Sequence, residues 1–457
     1  MDVHSTTVFM RKPINYNQEP FKYLKSENYN GTNDMSQDNK NLLNGIKVVE
    51  LTTMVFGPAA GVVLSDFGAD VVKIEPPITG DLNRNWHKIT GLPISEMPYA
   101  FQMTNRNKKS VVLDLKLTEG HEALCKLVKD ADILITNYRL DAISRLKIDY
   151  ETMKNINPKL IYALATGYGE KGEEKNKPGY DTICYWSRSA FEEHVFPYEG
   201  GLHNFPFGSG DHPSGMTLYA SIMSGLYQRL QTGKGCKVTT SLLANGAWSN
   251  SVMLQAQLAN AEFREKPPRS KAYNFTSLNY KTKDGLLLKL ALVNAARDWE
   301  AFCSAIRRES FFLDERFQTA ESRVKNMHSL IKEISDAFLE KEMGFWLKRL
   351  AEFDIPHSKV FTYEEAANDK QKSLNGIVVP LDHPEYGPMK TISSPFEVSG
   401  YEKRTPAAAP KLGEHTEEVL KDLGYSGAQL EKYLNFNRIC RNRIRNIKRL
   451  KNLFIIS

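Results

Sequence analysis

One string concentrates groups that could do chemistry: Gly208-Ser209-Gly210-Asp211-His212-Pro213-Ser214-Gly215-Met216. Three glycines surround a single carboxylate. Glycine lets backbone amides turn inward and admits a bulky ligand close to the chain. Pro213 favours a helix beginning just after Asp211. That would set the carboxylate at the positive end of the helix dipole and keep it ionised. Two readings share this geometry. Asp211 either caps the helix or is a preorganised nucleophile, with amide donors ready for a developing oxyanion. A second string, Pro178-Gly179-Tyr180-Asp181, has turn chemistry and again one carboxylate. Gly167-Tyr168-Gly169-Glu170-Lys171-Gly172 has the spacing of a dinucleotide fingerprint, which works only where a helix starts at the glycines. The polar run ending in Lys177-Pro178-Gly179 cannot continue as an apolar-faced helix, so no nicotinamide site is expected. His203 and His212 flank Asp211 without metal-ligand spacing, and Cys125, Cys184, Cys236, Cys303 and Cys440 form no Cys-x-x-Cys pair. No metal is expected, and the thiols read as reduced in a cytosol. No Gly-x-Ser-x-Gly nucleophile elbow occurs.

The surrounding elements alternate. Apolar runs predict strands at Ile46–Leu51, Asp70–Glu75, Ser110–Leu115, Ile133–Asn137, Leu160–Ala165 and Cys236–Leu242. Helices are predicted between them at Ala59–Phe67, Thr118–Lys129, Leu140–Leu146, Tyr150–Ile156 and Met216–Leu230, with Ala244–Ala261 following. Strands alternating with helices imply a parallel sheet in an open α/β fold. The long stretch from Thr166 to Ser214 is poor in regular signals, which usually marks function. From about Pro267 the character changes. A hairpin is predicted over Tyr280–Val293, turning at Lys283-Asp284-Gly285. Amphipathic helices follow at Trp299–Arg307, His328–Phe338 and Met343–Phe353, then a break at Asp354-Ile355-Pro356 and a last helix within Pro410–Tyr425. The division is therefore a polar, disordered leader over 1–44, the first part of a large α/β domain over 45–266, and a small α+β domain over 267–385. The chain then returns to the large domain over 386–437 and ends in a basic tail over 438–457.

The chain has 457 residues, 41% hydrophobic and 25% charged, as in an ordinary soluble globular protein. No apolar run approaches a membrane span, and no basic segment followed by an apolar one opens the chain, so a cytoplasmic location is expected. Net charge is +6, yet seven basic and no acidic residues lie from Arg438 onward. Without them the body is nearly neutral, which argues against a fold built to grip nucleic acid.

Taken in order, the strings resemble the family III CoA-transferases. Gly45-Ile-Lys-Val-Val-Glu-Leu51, Gly57-Pro58, Asp66-Phe-Gly-Ala-Asp-Val-Val-Lys-Ile-Glu75 and Gly80-Asp81 carry the resemblance at the start. Asn107-Lys-Lys-Ser110, Leu113-Asp-Leu-Lys116, Ala131-Asp132, Asn137-Tyr-Arg139 and Asn157-Pro-Lys-Leu-Ile-Tyr162 continue it. So do Pro178-Gly-Tyr-Asp181, Gly210-Asp211, Thr232-Gly-Lys-Gly235, Asp354-Ile-Pro356 and Ala409-Pro-Lys-Leu-Gly-Glu-His-Thr416. Gly167–Gly172 and Gly210-Asp-His212 look most like the branch serving (R)-phenyllactate and (R)-2-hydroxyisocaproate in amino-acid-fermenting anaerobes.

The resemblance implies a Rossmann-like large domain built from both chain ends, a smaller domain, and an interlocked homodimer. It implies an enzyme that moves CoA from an acyl-CoA donor to a carboxylic acid, a 2-hydroxy or enoyl acid, through an anhydride on Asp211. CoA would be substrate, with no permanently bound cofactor, and the resemblance also points to a dehydratase of the same pathway as a partner. Positions carried over as CoA contacts are Val55, Phe56, Leu113, Asp114, Leu115, Lys116, Asn137, Tyr138, Arg139, Arg145, Pro178, Gly179, Tyr180 and Asp181. Arg139 and Arg145 suit phosphates through forked, charged donors.

Departures narrow the substrate. Formyl-CoA transferases have Gln where this chain has Val55 and Arg where it has Pro76, and their glycine-rich loop is missing near Asn274–Tyr280. A larger apolar acyl group is therefore expected. The α-methylacyl-CoA racemases of the same superfamily place His where this chain has Tyr180, a poor general acid or base at neutral pH. Racemisation stays as the alternative, and a non-catalytic protein whose basic tail engages nucleic acid or membrane as another.

Overall fold

The computed structural model describes residues 40–89, 91–195, 205–263, 272–292 and 297–433. Most of the leader, His203, Val293 and the basic tail with Cys440 lie outside these residues. Six strands form the central sheet: β1 (Lys47–Leu51), β2 (Asp70–Glu75), β3 (Lys109–Val112), β4 (Ile133–Thr136), β5 (Ile161–Thr166) and β6 (Cys236–Ser241). Their order is β3-β2-β1-β4-β5-β6, and every pairing is parallel. Parallel strands need covered faces, so β4 and β5 read as continuous apolar runs. One face packs on Phe56–Asp66 and Asp211–Thr232 through Val48, Val71, Leu218 and Ile222. The other packs on Thr118–Lys129 and Thr416–Asp422 through Val49, Ile74, Leu124 and Leu420.

The order reverses between β1 and β4, and the crevice outside the carboxyl ends of the strands at such a point is where open α/β sheets bind ligands. A separate hydrophobic core lies within residues 275–355, built on Tyr280, Phe302, Phe338 and Trp346. It covers an antiparallel sheet of β7 (Asn279–Lys281), β8 (Leu287–Leu290) and β9 (His357–Lys359). A last hairpin pairs β10 (Val378–His383) with β11 (Gly387–Ile392). Among the described residues no helix is long and apolar enough to cross a membrane.

Several sequence expectations are corrected. The leader does not extend to residue 44: Leu43 is buried in the core and its amide donates to the Phe67 carbonyl at 2.8 Å. The third strand stops at Val112, so Leu113–Leu115 form the loop after it. The helix read as Ala244–Ala261 is two, Leu242–Ser249 and Ser251–Leu258, with Asn250 at the joint. The β10–β11 hairpin crosses residue 385, where the sequence reading changed domain. The stretch 166–214 holds a 3₁₀ turn at Glu173–Asn176, a wide π-type turn at Thr182–Ser187 and a short helix at Phe191–Val195.

Candidate active site

The strings read as chemically informative follow the carboxyl ends of strands: Thr52–Phe56 after β1, Leu113–Lys116 after β3, Asn137–Arg139 after β4, and Gly167–Asp181 after β5. Asp211 arrives on the helix Asp211–Thr232, which fills the crossover between β5 and β6. The helix begins at Asp211 itself, with Gly210 as its cap and no side-chain cap bond. Pro213 therefore sits inside the first turn, and the capping reading of Asp211 does not hold. Gly208 has a φ of +73°, which a side chain would resist. A Cβ on Gly210 would stand 2.7 Å from the Tyr185 ring, and one on Gly215 would stand 2.6 Å from the Ala59 Cβ. The glycines thus press the loop against Tyr185 and seat the helix on Phe56–Asp66.

The Asp211 side chain is buried at 8% exposure, and no ion pair or hydrogen bond holds its carboxylate among the described residues. The expectation that the helix dipole keeps it readily ionised is overturned. Burial pushes its carboxyl well above the usual carboxylate range, and the nearby Asp181 charge pushes further. Asp181 is raised as well, again by burial, although the backbone N–H groups of Gly210, Thr182 and Asp211 oppose the shift. Its Oδ2 accepts from the Gly210 amide at 3.1 Å and its Oδ1 from the Thr182 amide at 2.8 Å. The two candidate strings are therefore one site. Asp181 holds the turn that presents Asp211, and the two carboxyls disfavour each other's ionisation.

Aromatic rings stand beside this loop. Trp86 stacks on Phe207 with ring centroids 3.7 Å apart, and Trp186 stacks on Phe205 at 3.9 Å. Val55 is buried and its Cγ1 would lie 3.3 Å from a Cβ on Gly208.

The other carried-over positions divide. Phe56 and Leu113 are core side chains, so only their backbone can face a ligand. Asn137 clamps the first loop, accepting from the Thr53 amide at 3.0 Å and donating to the Thr53 carbonyl at 2.7 Å. Asp114 closes its own turn on the Lys116 amide at 3.0 Å. Leu115 and Tyr138 are half-buried and pack against the core, while Lys116, Pro178 and Tyr180 are exposed and Gly179 is half-buried. Arg139 and Arg145 are exposed and flank Asp141, with Nη2 of Arg139 at 3.0 Å and Nη1 of Arg145 at 4.0 Å from its Oδ2. An anionic phosphate could take over both guanidinium groups from that one carboxylate.

Sequence reasoning missed a charged cluster at the ends of β1 and β2. Glu50 and Lys73 face each other in register, and Lys73 Nζ lies 3.0 Å from both Glu50 Oε1 and Asp81 Oδ2. Lys108 closes on Glu50 Oε2 at 2.7 Å. All four side chains are buried. Glu75 alongside accepts from Arg84 Nη2 at 2.6 Å, Ser110 Oγ at 2.6 Å and the Asp81 amide at 2.9 Å. Although burial opposes it, these partners hold Glu75 below the usual carboxylate range, and Lys73 with backbone donors does the same for Asp81. The available signal was charge within strands that helices must cover on both faces, because buried charges require partners.

Known proteins resemble this chain over most of its length. Residues 43–416 match the CoA-transferase family III model. The chain is 35% identical over 398 residues to (R)-2-hydroxy-4-methylpentanoate CoA-transferase of Clostridioides difficile, covering 86% of this chain and 98% of that one. It is 32% identical over 404 residues to cinnamoyl-CoA:phenyllactate CoA-transferase of Clostridium sporogenes, covering 87% and 97%. The fold matches the crystal structure of a CAIB/BAIF family protein from Brucella suis with a TM-score of 0.73 and 26% identity, over 84% of this chain and 100% of that one.

Proposed function

The chain belongs to CoA-transferase family III, and we propose that it moves CoA between 2-hydroxy or enoyl carboxylic acids through a covalent acyl intermediate on Asp211. The observation carrying this reading is a buried carboxylate with no cation beside it among the described residues, on the Gly-Asp motif, at the carboxyl edge of the sheet. A carboxyl of raised pKa is a stronger nucleophile once ionised, by ordinary Brønsted behaviour.

The steps balance without ATP. An Asp211 oxygen attacks the thioester carbonyl, the C–S bond breaks, and CoA leaves as thiolate from a mixed anhydride. The thiolate attacks the Asp211 carbonyl, releasing the donor acid and leaving an aspartyl-CoA thioester. The acceptor carboxylate attacks that thioester, forming a second anhydride and freeing thiolate again. Thiolate then attacks the acceptor's acyl carbon, giving the new acyl-CoA and restoring Asp211. Binding energy from the long CoA tail holds each carbonyl in place, with Arg139 and Arg145 as its phosphate partners. The proposed active unit is a homodimer.

The substrate class is supported by the two clostridial relatives and by the rings of Trp86, Phe207, Trp186 and Phe205 near the Asp211 loop, which suit an apolar or aromatic acyl group. The test combines (R)-2-hydroxy-4-methylpentanoyl-CoA or cinnamoyl-CoA with hydroxylamine and seeks the trapped adduct by peptide mass spectrometry. It is expected on Asp211, and Asp211→Ala should abolish exchange while the protein stays folded. Exchange undiminished in Asp211→Ala rejects the reading. Deuterium entering Cα without any acceptor acid would favour racemisation, whose acid partner would have to be the half-exposed Tyr180.

A further inference from the structure

We propose that Asp81 is a positioning residue for acyl transfer, holding two walls against the loop that presents Asp211. The inference rests on reading Asp211 as the acyl carrier. Asp81 is 1% exposed and follows β2. Its Oδ1 accepts from the Met54 amide, the Thr53 hydroxyl and the Asn83 amide, each at 2.9 Å.

The first two bonds reach the segment after β1. Met54 there has a φ of +69°, a left-handed conformation that a side chain disfavours. Such a shape persists only where its surroundings over-determine it. Asp81 does so from one side, Asn83 adds a bond from its side-chain nitrogen to the Met54 carbonyl at 3.1 Å, and Asn137 clamps Thr53. The segment ends at Val55, which lies against Gly208.

The third bond caps the 3₁₀ helix Leu82–Lys88. That helix carries Trp86, whose ring stacks on Phe207. Val55 and Trp86 therefore press on neighbouring residues of the same loop, and one carboxylate fixes both. Accepting three donors at one oxygen suits an ionised, acceptor-only carboxylate. Lys73, at 3.0 Å from Oδ2, supplies the compensating charge.

Displacing a nucleophile by about 1 Å can cost about 100-fold in rate, which sets the expected effect. The experiment compares Asp81→Ala, Asp81→Asn and a control, Asp66→Asn. Asp66 is also a buried acid, but it pairs with Arg106 and bonds Asn107 and Ser394. Unfolding midpoint, kcat, KM for acyl-CoA and the rate of hydroxylamine-trapped acylation are measured on each. Asp81→Ala should lower kcat and the trapping rate about 100-fold, with KM moving less than about threefold. Asp81→Asn keeps an acceptor oxygen and should recover most of that loss. Asp66→Asn should lower the unfolding midpoint yet keep kcat within about twofold.

Folded Asp81→Ala turning over within about threefold of the parent overturns the proposal, as does an equal loss of turnover in Asp66→Asn. Should Asp81→Ala fail to fold, Trp86→Ala at the outer end of the same relay should slow trapped acylation about tenfold; unchanged trapping there is equally fatal. Asp211→Ala run in parallel separates the two claims. Undiminished transfer in it sinks the acyl-carrier reading, whereas its loss alongside fully active Asp81 variants sinks only the positioning role.

Discussion

Two groups of buried carboxylates share the carboxyl edge of the sheet and are treated in opposite ways. Glu50, Glu75 and Asp81 are threaded with Lys73, Lys108 and Arg84, and Glu75 and Asp81 are held below the ordinary carboxylate range. Asp181 and Asp211 sit together with no cation beside them among the described residues, and both are pushed up. Burying a carboxylate without a partner is costly. Among the described residues, lysines reach the first group and none reaches the second. The proposed acyl carrier belongs to the unpaired group, and a carboxylate locked to a lysine would be a poor nucleophile.

The largest test of this contrast is Asp211→Asn. It should cut transfer by about 1,000-fold or more, while raising stability at pH 7 by about 0.5–2 kcal/mol, the usual gain from relieving a strained functional group. The sign follows from linkage. The native carboxyl is raised, so the folded state holds its proton more tightly than the unfolded chain, and wild-type stability declines as pH rises through the interval between the two. The advantage of Asn over Asp should therefore shrink on acidification and vanish below about pH 4, where the unfolded carboxylate is protonated too. Denaturant midpoints across pH check both halves. A destabilised Asp211→Asn would break the comparison.

Next in size is Lys73→Met, which removes the cation shared by Glu50 and Asp81. Stranding buried charges costs about 3–5 kcal/mol, and urea unfolding should show it. A loss under about 1 kcal/mol would mean the paired group is not held by its lysine.

Asp181→Asn sharpens the contrast at the site. Its carbonyl oxygen can still accept from Gly210, but the like charge is gone. The Asp211 carboxyl should fall, so the acid limb of the kcat/KM profile should move to lower pH. An unmoved limb would place the responsible ionisation elsewhere. The smallest effect belongs to the surface. Arg139→Ala should leave the unfolding midpoint in place, because exposed ion pairs contribute little, while raising KM for acyl-CoA about tenfold through one lost charge-assisted contact.

The alternation of strands and helices was legible because buried parallel strands such as Ile133–Thr136 are continuous apolar runs bounded by clear helix signals. β9 and the β10–β11 hairpin were not, because β9 has only three residues, all three strands are half-exposed, and Pro380 interrupts the pattern of β10. Asp211 stood out through its glycines. Its partnership with Asp181 was hidden, since Gly210, whose amide Asp181 holds, lies 29 positions further along a stretch without periodicity. The raised carboxyl was also misjudged: the dipole at a helix start is visible in a sequence, but the depth at which the fold buries that start is not. Glu50, Lys73 and Glu75 stand in runs read as strands, but the sequence does not show which lysine meets which carboxylate across the sheet.

The seam where Gly215 meets Ala59 and the Phe56 carbonyl has its own consequence for how such a protein can diversify. With no side chain to compress, the helix that starts at Asp211 has no slack against the helix Phe56–Asp66, and the proposed acyl carrier keeps one address. A lineage adapting to a different acid must then retool the short inserts that overhang this point, around Trp86 and Phe207, and leave the chassis untouched.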